Sequence, residues 1–203
     1  MPQIQGGIGI LADSTTVVPV AAGKGGVGKT QIAANLAIAL AQAGKSTVVV
    51  DLDLGGSNLH SHLGLPNRHA GLGDYLRART ADLKDLVVET SVDGLRFIPG
   101  DSRIMANSAY QQKRRLLRHL LAIEADYLVL DLSAGSSYNN LDFFALAPSG
   151  MLVTQPELPS LMNMLSFLKQ HMLRRIRQEF ATEHRMRQEF NALTKRSMDG
   201  SGV

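Results

Sequence analysis

Gly23-Lys24-Gly25-Gly26-Val27-Gly28-Lys29-Thr30 follows the apolar run Val17 to Ala21 and leads into the helical pattern Ile32, Leu36, Leu40. Strand, glycine loop and helix in that order give G-x-x-x-x-G-K-[ST] its meaning as a phosphate-binding loop. Glycines tolerate positive φ and let successive backbone N–H groups converge on phosphate oxygens. The start of the following helix adds its partial positive charge. In this pattern Lys29 neutralises the β- and γ-phosphates, and the Thr30 hydroxyl sits on Mg²⁺. The cradle therefore comprises Gly23, Lys24, Gly25, Gly26, Val27, Gly28, Lys29, Thr30 and Gln31. A glycine-rich turn with an incidental lysine is the plainer alternative, and the complete motif in its strand–helix context argues against it.

Two acidic strand ends follow. Thr47 to Leu52 is a β-branched run without alternation, as expected of a buried parallel strand, and it closes in Asp51-Leu52-Asp53 before Gly55-Gly56-Ser57-Asn58. Carboxylates at a strand's C-terminal end, beside a phosphate loop, lie where open α/β sheets place ligands. Capping of the next helix is the plainer role for one of them. Tyr127-Leu128-Val129-Leu130-Asp131 is an apolar strand closed by an acid, the Walker B form, which puts Asp131 in position to hold Mg²⁺ through water. Gly135 comes four residues later, and its N–H is placed to meet a γ-phosphate. Such a contact would be lost on hydrolysis, as in a switch loop.

Elsewhere, Gln31 to Ala43 reads as a helix stopped by Gly44, with alanine spacing suited to close packing on a sheet. Gly71 to Leu86 reads as a turn and short helices, with Asp74 as a cap, and Leu95 to Ile98 as a strand. Gln111 to Ile123 is an amphipathic helix with Leu116, Leu117, Leu120 and Leu121 inward and Lys113, Arg114, Arg115 and Arg118 outward. Gly150 to Thr154 reads as a further strand, and a long helix is expected from near Leu161 to about Leu193. Alternating strands and helices imply an α/β fold: a doubly wound, mostly parallel sheet with flanking helices and a long C-terminal helix.

With 203 residues, 44% apolar and 19% charged, the chain suits one domain with a substantial core. We divide it into a flexible leader (1–16), a nucleotide-binding domain (17–168) and a basic helical extension with a polar tail (169–203). No apolar run approaches the roughly 18 residues of a membrane span. No basic region leads into an apolar stretch at the N-terminus, so a cytoplasmic protein is expected. The absence of cysteine excludes disulfides and thiolate zinc sites. His60, His62 and His69 lack the spacing of a zinc site and are expected to be solvated or partly packed. From Lys169 onward there are eight Lys/Arg against four Asp/Glu, a net +4, which leaves about −1 for the rest of a chain that carries +3 in all. The basic character thus belongs to the C-terminal segment. That segment repeats itself, Arg175-Ile176-Arg177-Gln178-Glu179-Phe180 being echoed by Arg185-Met186-Arg187-Gln188-Glu189-Phe190. Met172, Ile176, Phe180 and Phe190 among these arginines outline an amphipathic surface for anionic membrane, with packing on the sheet edge as the equal alternative.

Lys-Gly-Gly-x-Gly-Lys-Thr, with a second lysine at Lys24, resembles the deviant loop of the MinD/ParA ATPases, and the resemblance covers about Val17 to Arg175. It implies that ATP and Mg²⁺ clamp two subunits into a homodimer, with Lys24 crossing to the partner's nucleotide. It further implies that Asp53 orients or activates the attacking water and that Asp51 supports the Mg²⁺ shell, beside Thr30 and Asp131. The catalytic set is then Lys24, Lys29 and Asp53. Within the family, Gly-Gly-Ser-Asn-Leu-His, Leu-Arg-Phe-Ile-Pro-Gly-Asp and Tyr-Asn-Asn-Leu-Asp-Phe-Phe are most similar to the FlhG/FleN branch. Members of that branch set flagellar number and placement with an SRP-type GTPase partner. The resemblance implies an ATP-dependent switch, with peripheral attachment to the inner face of the membrane as a candidate property. The alternatives are a non-catalytic nucleotide-binding adaptor acting through its basic helix, and a ParA-like DNA partition ATPase binding phosphates without a recognition motif. The family normally continues with further strands that help hold the adenine; none is expected after Met162.

Overall fold

The structure, a computed structural model, describes residues 15–53, 56–77, 82–100 and 110–179, the side chains of 110–114 excepted. Expectations for 1–14, Gly55, the side chains of Lys113 and Arg114, and everything after Glu179, including the second copy of the repeat, lie outside the described residues.

In chain order the elements are β1 (Thr16–Ala22), α1 (Lys29–Gln42), β2 (Thr47–Leu52), α2 (Leu59–His62), α3 (Leu72–Leu76), a 3₁₀ turn (Leu83–Leu86), β3 (Val88–Glu89), β4 (Leu95–Ile98), α4 (Tyr110–Leu121), β5 (Tyr127–Ala134), α5 (Tyr138–Phe144), β6 (Met151–Val153) and α6 (Leu158–Glu179). The strands form one sheet in the order β3-β4-β2-β5-β1-β6. Every pairing is parallel except that of β3 with β4. The mostly parallel, doubly wound sheet expected from the sequence is what forms.

Strands buried on both faces explain the unbroken apolar runs. On β2, Val48, Val50 and Leu52 point into one core with Leu116, Leu120 and Phe167, while Val49 points into the other with Ala33 and Ala37. On β5, Leu128, Leu130 and Leu132 take the first face and Val129 the second. The alanines Ala33, Ala34, Ala37 and Ala41 are the buried side of α1 together with Lys29. Small side chains let that helix lie close on the sheet. The amphipathic reading of α4 holds where its side chains are described: Leu116, Leu117, Leu120 and Leu121 are buried, while Arg115 and Arg118 are exposed. Asp74 caps α3 by accepting from the Gly71 N–H at 3.3 Å.

Three elements escaped the sequence reading: the two-residue β3, the short α2, and α5. The long helix begins at Leu158, three residues before the expected start, because Ser160 secures the turn that enters it. Ser160 is buried, and its hydroxyl accepts from the Gln155 N–H at 3.1 Å and lies 3.0 Å from the Thr154 hydroxyl. The division drawn at 168/169 falls inside α6, which runs unbroken to Glu179.

α6 is fastened to α5 by aromatic and ionic contacts. Phe144 meets Phe167 edge-on at 5.3 Å and His171 edge-on at 5.2 Å. Arg174 grips Asp142 through two bonds, Nη2–Oδ2 at 2.7 Å and a short Nε–Oδ1 contact. Its guanidinium also lies 4.7 Å over the Tyr138 ring. Burial, reinforced by nearby Arg175, pushes the His171 pKa down.

Candidate nucleotide site

β5 lies between β1 and β2, and one register line crosses all three: Val20 pairs with Asp131, and Asp131 with Asp51. The glycine loop leaves β1 two residues after that line. Adjacent strand ends therefore bring the loop, Asp51-Leu52-Asp53 and Asp131 to the carboxyl edge of the sheet, where open α/β sheets bind ligands.

Gly28 enters α1 with φ at +90°, a left-handed conformation that a side chain would strain. No side chain caps the helix, so its first N–H groups stay available to an anion. A Cβ on Gly23 would stand 2.4 Å from the backbone carbonyl of Asn163 on α6. Only glycine lets the loop and that helix approach so closely. Gln155 reaches the same loop, its Nε2 donating to the Gly26 carbonyl at 3.5 Å. Val27 is buried, whereas Lys24, Gly25, Gly26 and Gln31 are exposed. Lys24 thus stands where it can reach beyond the chain.

Lys29 and Asp131 are both buried, and Lys29 Nζ donates to Asp131 Oδ1 at 2.6 Å and to the Thr30 hydroxyl at 3.3 Å. The second carboxylate oxygen of Asp131, Oδ2, is buried with no hydrogen-bond partner. A buried, unsatisfied acceptor is costly, and functional sites are where such atoms survive. Burial pushes the Asp131 pKa up; Lys29 and Thr30 pull it back, and Asp51 adds to the rise. An ionised carboxylate oxygen beside a threonine hydroxyl is a hard-oxygen donor set, which suits Mg²⁺.

Asp51 is differently engaged. Its Oδ2 accepts from the Ser57 hydroxyl at 2.7 Å and the Leu59 N–H at 3.2 Å, and its Oδ1 from the Asp53 N–H at 3.0 Å. Burial again pushes the pKa up, against these hydrogen bonds. Asp51 anchors both ends of the segment that carries Asp53. Asp53 itself is half-buried, and its Oδ1 accepts from the Gly56 N–H at 3.2 Å, a local turn cap that uses one acceptor position of the carboxylate.

The Gly135 N–H donates to the Ala22 carbonyl at 2.9 Å, tying the segment after β5 to the base of the glycine loop. Behind it stands a residue the sequence reading missed. Asn140, on α5, is buried, and its Nδ2 faces the carbonyls of Ser133, Ala134 and Gly135 at 2.8, 3.3 and 2.8 Å. Only its place in Tyr138–Phe144 drew notice in the sequence; an asparagine shortly after a switch glycine was the available signal. Asn140→Ala should destabilise the protein by about 1–3 kcal/mol, because partly buried carbonyls lose their donor. The check is a lower urea midpoint at unchanged slope.

His60 is half-buried while His62 and His69 are exposed, and the described residues contain no group of three potential metal-ligating side chains.

A family profile described as ParA, NUBPL iron-transfer P-loop NTPase, matches residues 13–179. The septum site-determining protein MinD of Helicobacter pylori is 34% identical over 146 residues, covering 71% of this chain and 54% of that protein. The antiactivator FleN of Pseudomonas aeruginosa is 32% identical over 157 residues, covering 75% of this chain and 55% of that protein. The chain therefore spans about half the length of these curated relatives. Among solved structures, MinD of Pyrococcus horikoshii complexed with Mg-ADP superposes with a TM-score of 0.65 at 26% identity, over 76% of this chain and 64% of that one.

Proposed function

This chain belongs to the ParA/MinD family of P-loop NTPases, and from that premise we propose that it is an ATP-dependent dimerisation switch that hydrolyses ATP slowly with Mg²⁺. The observation that carries the reading is the buried, unpartnered Oδ2 of Asp131, set beside Thr30 and the lysine of the phosphate loop. Thr30 and Asp131 would hold the cation, and Asp51 would steady the site by fixing the segment that carries Asp53. When bound, the cation would supply neutralisation of phosphate charge. Catalysis of phosphoryl transfer is mainly positioning and electrostatics, and the residues divide accordingly. The N–H groups of the loop and of the start of α1 bind phosphate oxygens. Lys29 leaves Asp131 for the phosphates, Asp53 orients the attacking water, and the Gly135 N–H reports the γ-phosphate by exchanging its bond to the Ala22 carbonyl for one to phosphate. Lys24 reaches the nucleotide of a second subunit.

The finer role we propose is control of the number or placement of a cellular assembly, of the flagellar type, read out by a protein partner such as an SRP-type GTPase. Identity to FleN and the motifs within 55–66, 95–101 and 138–144 support it. Identity to MinD is as high, which favours septum placement equally on that measure. Among the described residues no helix is long and apolar enough to cross a membrane; the attachment proposed at the inner membrane face is peripheral. An iron–sulfur cargo held by thiolates has no ligand in these 203 residues, which contain no cysteine.

The test is ATP turnover with Mg²⁺ and with EDTA, alongside solution mass by light scattering. Slow, Mg²⁺-dependent turnover and an ATP-induced increase in mass are expected. Nucleotide binding without turnover, even with a partner GTPase added, would favour the adaptor instead.

A further inference from the structure

The apolar arc of α6 is wider than the side it buries. Ser160 and Phe167 are buried on its inner side, with Met164 and His171 half-buried beside them. Its outer side presents Leu158, Leu161, Leu165, Leu168 and Met172, with Met162 alongside. Leu158, Met162, Leu165 and Met172 keep 73%, 58%, 53% and 62% of their surface exposed. An apolar arc that extends past the buried side leaves a stripe uncovered, and a contiguous exposed apolar stripe marks an interaction surface. The spacing of the outer stripe is three, four, three, four, the a/d seam of a coiled coil.

We propose that this stripe seats a second copy of the chain through an antiparallel α6–α6 contact. Running the helices in opposite directions places Leu165 of each copy against Leu168 of the other, and Leu161 against Met172. All four are seam residues, so the surface is complementary to itself, as a two-fold interface requires. The charges select the direction. Glu157 precedes the stripe, while Lys169, Arg175 and Arg177 gather toward its other end, against a single acid there, Glu179. An antiparallel pair brings Glu157 of one copy near Arg175 of the other at both ends, whereas a parallel pair would stack the cations on one another. A lipid surface would call for cations along the whole stripe, not an acid at one end. The outer edge of β6 has no strand partner among the described residues.

The contact is a property of the nucleotide-free protein, which separates it from the switch: ATP-induced dimerisation can fail while this pairing stands, and the reverse. In light scattering without nucleotide, the full chain should have twice the mass of one chain. Leu165→Gln should return it to a single chain with ATP binding unchanged. Because the chain has no cysteine, substituted cysteines test the register directly. Leu161→Cys mixed with Met172→Cys should form a cross-linked dimer on mild oxidation, and neither variant alone should do so. Cross-linking of either variant with itself would overturn the antiparallel pairing. A monomeric wild-type chain without cross-links would overturn the proposal altogether. So would a monomer that sediments with anionic phospholipid vesicles and loses that binding in Leu165→Gln, which would assign the stripe to a lipid surface.

Discussion

Lys29→Ala should reduce ATP affinity by at least about a hundredfold, the loss of a charge-assisted contact of about 3 kcal/mol to phosphate. The structure adds a second effect to this familiar one. Lys29 donates to Asp131 at 2.6 Å, with both side chains buried. Removing one partner of a buried pair leaves an uncompensated charge and typically costs about 3–5 kcal/mol. Asp131 also stands beside Asp51, whose pKa is likewise pushed up by burial. Without Lys29, the Asp131 carboxyl should take up a proton more readily still. The sign of the pH dependence follows. A carboxyl whose folded pKa exceeds its unfolded 3.8 favours the folded state when protonated, so the penalty is absent below that value. It grows as pH rises through the folded pKa and is complete above it. Urea unfolding at several pH values should show the stability deficit of Lys29→Ala widening from acid toward neutral. Lys29→Ala combined with Asp131→Asn should recover much of the stability, a non-additivity that reports direct coupling. It should not recover ATP binding, because the cation's carboxylate is then gone as well. A double variant as unstable as Lys29→Ala alone would mean that the buried pair contributes nothing specific.

The sheet and the loop-to-helix step at Gly28 were legible because they rest on local signals. A β-branched run such as Thr47 to Leu52 has little choice but a buried strand, and the glycine loop announces its own helix. Asp131 was legible as a strand-terminal acid, but its engagement with Lys29 was not, since 102 residues separate them and only the strand order makes them neighbours. The two aspartates near the end of β2 could not be told apart by spacing. Their roles diverge because one falls on the register line with Asp131 and is buried, while the other stands two residues beyond it. Asn140 was missed for a related reason: its place shortly after Gly135 was a faint signal, and its role shows only once the three carbonyls it faces are folded around it. The start of α6 was placed late because Pro159 and Ser160 read as a loop, whereas proline is well tolerated in a helix's first turn and Ser160 braces that turn from behind. The uncovered part of the apolar arc of α6 was only half visible, since a periodic apolar pattern does not say how much of it is covered.

Asp53→Ala should lower the hydrolytic rate by about 10²–10⁴-fold, the range for a group that handles the attacking water, while leaving ATP affinity nearly unchanged. The separation is expected because Asp53 lies outside the phosphate cradle. Its side chain accepts the turn-capping bond from the Gly56 N–H, and its own N–H donates to Asp51. Truncation removes the first and keeps the second, so the segment remains anchored. With hydrolysis slowed and binding intact, the ATP-bound form should accumulate, and light scattering should show an ATP-dependent increase in mass that outlasts that of the wild type. Asp51→Ala makes the contrast. It deletes the acceptor of Ser57, Leu59 and Asp53 together, so it should lower stability and hydrolysis at once. If Asp53→Ala hydrolysed ATP at the wild-type rate, Asp53 would be only the cap of its turn, and the water-orienting group would have to come from another residue or from the second subunit. If it lost binding and turnover equally, Asp53 would act on the ground state as much as on the transition state. Single-turnover rates set against equilibrium binding distinguish all three outcomes, because only a residue that acts on the water moves the first and spares the second.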